Sequence, residues 1–213
     1  MNYMFERFML QSHDFGCIFF QEGKKYFVVS LRRFEGIQRL AYNEKDLLGQ
    51  IVPACAAIAG EYGMMPLFVS MQPNLDLAVS KEASAMLKDG YGVTSQIIIP
   101  ENVRELMSVV GGGSILSGAE FVCSMRLHTL IYASSVSVPV IGLSLDPKID
   151  AFTAALRHAA LFRIPDVKAD ELTSAFRTTV ERHEAVRAEI EAETLGFRRM
   201  AEKDVENVIG LLS

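Results

Sequence analysis

An arginine and a histidine, Arg126 and His128, lie two residues apart between apolar runs near the middle of the sequence. Polar side chains are costly in apolar surroundings unless they bind something or satisfy the backbone. Arginine forms forked hydrogen bonds that suit phosphate and carboxylate groups, and histidine exchanges protons near neutral pH. The two residues are therefore candidates for binding an anion and for moving a proton beside it.

The segments that must position these residues are short apolar runs that alternate with helical patterns. Runs of this kind are typical of strands buried on both faces of a parallel sheet. The alternation predicts an α/β fold with a Rossmann-like parallel sheet, helices on both faces and a charged helical tail at the carboxyl end. Predicted strands cover 26–31, 66–71, 95–100, 120–125, 138–144 and 161–164, and predicted helices cover about 43–62, 75–88, 101–109, 127–136, 148–160 and 170 to the end.

Ligands of open parallel sheets bind at the carboxyl ends of the strands, so the polar residues that follow each predicted strand form a candidate site. The helix predicted to begin near residue 127 adds free backbone donors and a partial positive charge. Structural alternatives stay open: a helix cap or core role for His128, salt bridges for the other arginines, and a simple turn after the fifth strand. The candidates are Arg32, Arg33, Gln72, Asp76, Ser124, Arg126, His128, Asp146 and Lys148.

Composition excludes several classes of protein. The net charge is −5 over 213 residues, so no general basic surface indicates nucleic-acid binding. The three cysteines show no ligand spacing, which argues against a structural metal or a disulfide framework and favours a reducing cytoplasm. No signal peptide, membrane-spanning run or internal repeat is evident. The glycine-rich stretch 111–118 has neither a GxGxxG register nor a P-loop lysine, and we interpret it as a loop.

A longer stretch, SMRLHTLIYASSVSVPVIGLSLDPKIDAF over 124–152, resembles the motif region of the polysaccharide pyruvyl transferases (CsaB-type). VSLRRF (29–34) and PLFVSMQPNLD (66–76) resemble the first two strands of that family's carboxy-terminal domain. The resemblance extends over about 26–165. It implies one half of a GT-B-type enzyme, with residues 1–25 as an interdomain connector and 26–213 as the carboxy-terminal domain. The amino-terminal domain is then expected to be missing from this chain. Either the chain is a fragment, or a partner chain supplies that half.

The resemblance also implies an activity, namely transfer of pyruvate from phosphoenolpyruvate to a sugar or lipid-linked saccharide as a ketal in cell-wall or exopolysaccharide synthesis. It implies no cofactor or metal; a homo-oligomer is an open alternative. Arg126 and Arg32 would bind the two anionic groups, with Arg33 and Lys148 in support, and His128 would move the proton. Asp146 would orient His128 or bind the sugar. The expected catalytic residues are His128 and Arg126, and the expected substrate-binding residues are Arg32, Arg33, Gln72, Asp76, Ser124, Asp146 and Lys148.

Two other functions fit the same pattern of residues. A nucleotide-sugar glycosyltransferase or epimerase of the GT-B type would gather arginine, histidine and a helix start around a diphosphate. A non-catalytic Rossmann-like module would use the same fold to bind a partner. The response of the protein to phosphoenolpyruvate and to UDP-sugars distinguishes the three.

Overall fold

Strand β1 (Tyr26–Ser30) lies in the interior of a six-stranded sheet, and all five of its residues are buried. The computed structural model describes residues 24–36, 42–100, 106, 115–193 and 195. β-Branched and aromatic side chains favour the extended backbone of such buried segments. The other strands are β2 (Met65–Val69), β3 (Gln96–Ile98), β4 (Val122–Ser124), β5 (Val140–Ser144) and β6 (Ala160–Arg163).

The strands are ordered β3-β2-β1-β4-β5-β6 across the sheet, and every neighbouring pair is parallel. The chain therefore moves outward from β1 to β3, returns to place β4 beside β1, and moves outward again to β6. Ser30 and Ser124 are paired in register at the point where the direction reverses. In parallel sheets a crevice for ligands opens at this point, beyond the carboxyl ends of the strands.

Helices connect the strands, and their ends carry the expected signals. Asn43 caps the first helix by accepting a hydrogen bond from the Lys45 amide at 3.0 Å. The first two helices end at Gly63 and Gly92, whose φ angles of 64° and 66° lie in the left-handed region that glycine tolerates. The helices are α1 (Glu44–Tyr62), α2 (Pro73–Tyr91), α3 (Leu127–Ser135), α4 (Pro147–Ala155), α5 (Ala169–Glu181) and α6 (183–193), with a short 3-10 turn at Ile164–Asp166.

Alternating side chains of β1 divide the core into two layers. Phe27 and Val29 face the layer that contains α1, α2 and α5, whereas Tyr26 and Val28 face α3 and α4. Phe27 stacks on Phe121 with ring centroids 4.9 Å apart. Helices therefore cover both faces of the sheet, which confirms the predicted α/β fold.

The fold differs from the sequence-based expectation mainly in its carboxyl-terminal part. The predicted helical tail is confirmed over the described residues, but it consists of two helices: α5 ends at Glu181, and α6 begins after a turn at Arg182. Nδ1 of His183 lies 2.7 Å from the carbonyl oxygen of Glu120 and fixes the start of α6 against the domain. Most of the predicted connector 1–25 and of the helix 101–109 lies outside the described residues. No helix in the described part of the chain is long and apolar enough to cross a membrane.

Candidate functional site

The four central strands end in the same way: a buried serine stands at the last position of the strand or directly after it, followed by an apolar residue and then a polar one. In three of the four cases the polar residue is also the N-cap of the next helix. The carboxyl edge of the sheet therefore receives one polar side chain from each central strand. Sequence reasoning missed this repeat, which the letters alone show: SLR (30–32), SMQ (70–72), SMR (124–126) and SLD (144–146).

Two of these serines hold the turn that follows them. The hydroxyl of Ser124 accepts a hydrogen bond from the Arg126 amide at 2.8 Å and donates one to the Arg126 carbonyl at 3.0 Å. Ser144 holds Asp146 in the same manner, at 3.2 Å and 3.1 Å. Because these bonds are local, they fix where the side chains of Arg126 and Asp146 leave the backbone.

The turn after β2 uses a different acceptor. The amide of Gln72 donates to the carboxylate of Asp76 at 2.9 Å, and the hydroxyl of Ser70 has no hydrogen-bond partner among the described residues. The other carboxylate oxygen of Asp76 accepts a hydrogen bond from Nη2 of Arg126. Asp76 thus links the start of α2 to the start of α3 across β1.

The Arg126–Asp76 ion pair is shielded from solvent. Asp76 is fully buried, and the side chain of Arg126 is 13% exposed. Nε of Arg126 is also buried and has no partner in the described part of the chain. A buried, charge-assisted bond holds a planar guanidinium far more firmly than a bond at the surface does. Arg126 is therefore the fixed cation of the site.

The loop after β1 is anchored through three consecutive amides. The amide of Arg32 donates to Sδ of Met125 at 3.4 Å, and that of Arg33 to the carbonyl of Leu75 at 3.2 Å. The amide of Phe34 donates to the Glu44 carboxylate at 2.9 Å. Two of these contacts are to the residues that directly precede Arg126 and Asp76. The structure therefore brings the predicted residues Arg32, Arg33, Asp76, Ser124 and Arg126 together.

Arg32 and Arg33 each carry an acidic partner, exposed in the first case and half-buried in the second. Nη2 of Arg32 lies 3.1 Å from Glu35, and Nε of Arg33 lies 3.5 Å from Glu44. An exposed ion pair such as Arg32–Glu35 contributes only about 0–1 kcal/mol, so an incoming anion can compete for Arg32. Glu44 is half-buried and also accepts the Phe34 amide, so its pair with Arg33 is less readily exchanged. Nε of Arg32 is buried and has no partner among the described residues. A ligand can therefore reach only the two outer nitrogens of this guanidinium. The carboxyl edge of the sheet therefore carries less net positive charge than its arginines alone would give it.

His128 occupies the second position of α3 and is exposed. Its ring centroid lies 6.2 Å from that of Tyr132, one turn further along the helix. The side chain stands two residues from Arg126, at the helix end where backbone donors are free. Its exposure excludes the alternative role of a core histidine.

The remaining predicted residues lie at the same edge of the sheet but make only local contacts. The carboxylate of Asp146 accepts a hydrogen bond from the Lys148 amide at 2.9 Å and caps α4. Among the described residues, Asp146 forms no hydrogen bond with His128. Lys148 and Gln72 are exposed.

Two cysteines of the core are unsuited to catalysis at neutral pH. Cys123 immediately precedes Ser124, and Cys55 lies on α1. Burial raises the pKa of the Cys55 thiol to about 12 and that of Cys123 well above its ordinary value. Since the thiolate is the nucleophilic form, both side chains act as core residues.

Other potential ligand-binding features contribute little to the described site. No group of three or more His, Cys, Asp or Glu side chains in the described ranges is arranged to hold a metal ion. Residues 111–114 of the glycine-rich stretch lie outside those ranges. The described end of that stretch is a turn in which the Ile115 carbonyl accepts a hydrogen bond from the Tyr26 hydroxyl at 2.8 Å.

Comparison with solved structures places the fold among GT-B enzymes. S. aureus MnaA, solved with UDP, superposes with a TM-score of 0.53 at 14% identity, over 78% of this chain and 40% of that protein. The glycosyltransferase WaaG of lipopolysaccharide biosynthesis gives 0.51 at 12% identity, over 80% and 42%. The UDP-GlcNAc 2-epimerase of Neisseria meningitidis gives 0.50 at 18% identity, over 88% and 43%. The chain thus spans about two fifths of the length of each of these proteins.

Sequence comparison identifies the family more narrowly. The search of curated protein sequences finds no match. The model of the polysaccharide pyruvyl transferase family matches residues 38–147, which is more than half of the chain. The matched segment contains Asp76, Arg126 and His128 and ends one residue before Lys148. The chain therefore belongs to the polysaccharide pyruvyl transferase family.

Proposed function

We propose that this chain carries the phosphoenolpyruvate-binding half of an enzyme that transfers pyruvate to a sugar as a cyclic ketal. The observation that carries the proposal is the position of Arg126 and His128. The first is a fixed cation and the second is an exposed proton carrier, and both stand at the start of α3 within the family match. The proposal assigns donor binding and proton transfer to this one edge of the sheet.

The donor presents a phosphate and a carboxylate, which require at least two cationic groups. Arg126 binds one anionic group in a fixed geometry, because its guanidinium is held by Asp76. Arg32 binds the other after leaving Glu35, and Arg33 and Lys148 supply further positive charge at the rim. Arginine suits this task because its planar fork matches both groups.

Ketal formation needs one proton on the donor's methylene carbon and two new C–O bonds at its central carbon. His128 delivers the proton to the methylene, which becomes the methyl group, and the first sugar hydroxyl attacks the resulting cationic carbon. The C–O bond to phosphate then breaks, phosphate leaves, and the second hydroxyl closes the ring. The hydroxyl protons pass to His128 and to phosphate, so the imidazole returns to its starting state. A histidine suits this exchange because its ordinary pKa lies near neutrality.

The acceptor in this proposal is a sugar or a lipid-linked saccharide bound opposite the donor. A second domain or a partner chain completes its pocket. In that arrangement the isolated chain binds the donor weakly and turns over slowly.

Ligand-induced stabilisation tests the proposal directly. The chain is heated with phosphoenolpyruvate, with UDP-GlcNAc or alone, and binding is measured in parallel by calorimetry. Phosphoenolpyruvate at about 100 times its dissociation constant is expected to add about 2.7 kcal/mol of stability. Stabilisation by UDP-GlcNAc alone would instead support a nucleotide-sugar enzyme, and no response to either ligand would support a non-catalytic module.

A further inference from the structure

We propose that Asp76 is a positioning residue whose carboxylate sets the orientation of the Arg126 guanidinium, and that it does not contact the substrate itself. This inference rests on the proposed function, in which Arg126 binds an anionic group of the donor. The sequence placed Asp76 among the substrate-binding residues. Its contacts in the structure point to a different role.

Burial excludes direct contact between Asp76 and a ligand in this conformation. The side chain of Asp76 is fully buried, and both carboxylate oxygens already accept hydrogen bonds. One oxygen accepts from the Gln72 amide and the other from Nη2 of Arg126. A ligand could reach this carboxylate only by displacing Arg126.

A second copy of the same turn shows what is special about Asp76. SMQPNLD (70–76) and SLDPKID (144–150) share serine, proline and aspartate at matching positions. In the second copy Ser144 accepts the N-cap amide, and Asp150 pairs at the surface with Arg163 at 3.2 Å. In the first copy Asp76 itself accepts the N-cap amide and turns inward to Arg126. The same local sequence therefore forms a surface pair in one place and a buried brace in the other.

Arg126 is held from two directions as a result. Ser124 fixes its backbone through the amide and carbonyl, and Asp76 fixes its guanidinium. When an anion binds the outer edge of this guanidinium, the Arg126 side chain loses no further rotamer freedom. Fixing a binding group in advance lowers the entropic cost of binding.

Two other roles for Asp76 make different predictions. A simple counter-ion would weaken anion binding, so its removal would strengthen the affinity for phosphoenolpyruvate. A purely structural brace would change stability and leave the affinity of the folded protein unchanged. Only a positioning role predicts two effects together after Asp76 is replaced: a weaker affinity for phosphoenolpyruvate and a more mobile Arg126 guanidinium.

The experiment compares Asp76→Asn with the matched control Asp150→Asn in the full chain. We expect Asp76→Asn to weaken phosphoenolpyruvate binding by about tenfold, since the freed Arg126 side chain must then be ordered when the donor binds. We expect Asp150→Asn to bind as the wild type does. Unchanged or tighter binding by Asp76→Asn would overturn the positioning role.

A ligand-free measurement separates this inference from the proposed function. In the wild type and in Asp150→Asn, the Nε–Hε resonance of Arg126 is expected to be sharp and slow to exchange with solvent. In Asp76→Asn it is expected to broaden, and an unchanged resonance would overturn the inference. A wild type with a sharp resonance that fails to bind phosphoenolpyruvate would contradict the proposed function only.

Arg126→Lys provides the test if Asp76→Asn does not fold. This variant keeps a positive charge opposite Asp76 but removes the planar fork. We expect it to lose about as much affinity for phosphoenolpyruvate as Asp76→Asn, that is about tenfold. Wild-type affinity in Arg126→Lys would show that a fixed guanidinium is not needed and would overturn the inference.

Discussion

The three arginines at the carboxyl edge of the sheet differ in what holds them. Asp76 binds Arg126 in the interior, whereas an exposed glutamate binds Arg32 and a half-buried glutamate binds Arg33. A buried partner cannot be exchanged for a ligand at low cost, but an exposed partner can. In our proposal Arg126 therefore sets the geometry of the site and Arg32 adapts to what enters it.

This difference predicts that Arg32→Ala lowers the affinity for phosphoenolpyruvate and leaves the stability of the fold unchanged. The variant loses one charged contact to the donor, so phosphoenolpyruvate is expected to bind about tenfold more weakly in calorimetry. Its melting temperature should remain close to that of the wild type, because the lost pair with Glu35 is exposed. The control is Arg177→Ala, which removes a surface pair with Glu61 at the carboxyl end of α1. Equal affinities in the two variants would exclude Arg32 from the site.

His128→Ala should affect turnover and leave folding intact. A positioned acid–base group contributes about 100-fold to 10,000-fold to rate, so phosphate release from phosphoenolpyruvate should fall by at least about 100-fold. The assay contains this chain, the second domain or partner chain that completes the acceptor pocket, and the acceptor itself. The exposed position of the ring predicts an unchanged unfolding midpoint. Near-normal turnover would remove His128 from the mechanism.

At the scale of elements, the contact of α4 with β5 depends on one glycine. A Cβ atom at Gly142 would lie 2.8 Å from Cγ2 of Thr153 and 3.2 Å from Cγ2 of Ile149. Both atoms belong to buried side chains, so relief requires α4 to move. The start of this helix carries Asp146 and Lys148, and the packing of Gly142 therefore sets the position of these two candidates.

We expect Gly142→Ala to lower the free energy of unfolding by about 1–3 kcal/mol, as overpacking of a core does. Denaturant titration measures this change. Gly60→Ala is the matched control, since a Cβ there meets nothing within 4 Å and the residue lies inside α1. Alanine is a better helix former than glycine by about 1 kcal/mol, so the control should be stabilised. Loss of stability in both variants would contradict the packing argument.

The carboxyl end of helix α6 lies beside a buried histidine, His158. Its side chain is fully buried, and Nδ1 lies 3.4 Å from the Glu193 carboxylate. Burial lowers the pKa of His158 from its ordinary value of 6.5, and the nearby Glu193 and Glu189 partly oppose this shift. Arg157 also pairs with Glu193, at 3.9 Å. The histidine is therefore neutral in the folded protein at neutral pH.

The depressed pKa of His158 predicts an acid-sensitive fold. The unfolded chain takes up a proton near pH 6.5 while the folded chain does not, so the free energy of unfolding falls as the pH decreases from 7.5 to 5.5. The dependence stops only below the folded pKa. Denaturant titrations across this range should show a smaller slope for His158→Gln than for the wild type. Identical slopes would contradict this assignment.

The elements themselves were largely predictable, and the places where prediction failed have physical reasons. Buried strands such as 138–144 and amphipathic stripes such as Leu172 and Phe176 on α5 follow from local periodicity. The break at Arg182 does not, because it depends on the contact of His183 with Glu120, a residue distant in sequence. Boundaries also shifted where caps decide them, as at Pro73, where α2 begins before the predicted residue 75.

At the scale of the whole molecule, the sequence indicated which residues share an edge but not how they pair. Parallel strands bring the residues that follow Ser30, Ser70, Ser124 and Ser144 to one side, whatever their order. The bond between Asp76 and Arg126 depends on the position of β1 between β2 and β4. Strand order is a property of the assembled sheet, so no local pattern could have predicted this pair.

The span of the Asp76–Arg126 bond has a consequence for how the chain acquires its folded state. Its partners are 50 residues apart, and the bond requires β2, β1 and β4 to be already side by side. Helical segments form early because their contacts are local, whereas contacts between distant segments wait for loop closure. On refolding, the ellipticity of the helices should return before the protein regains any capacity to capture phosphoenolpyruvate. The carboxyl edge of the sheet would then become able to bind its ligand only after the helices have formed.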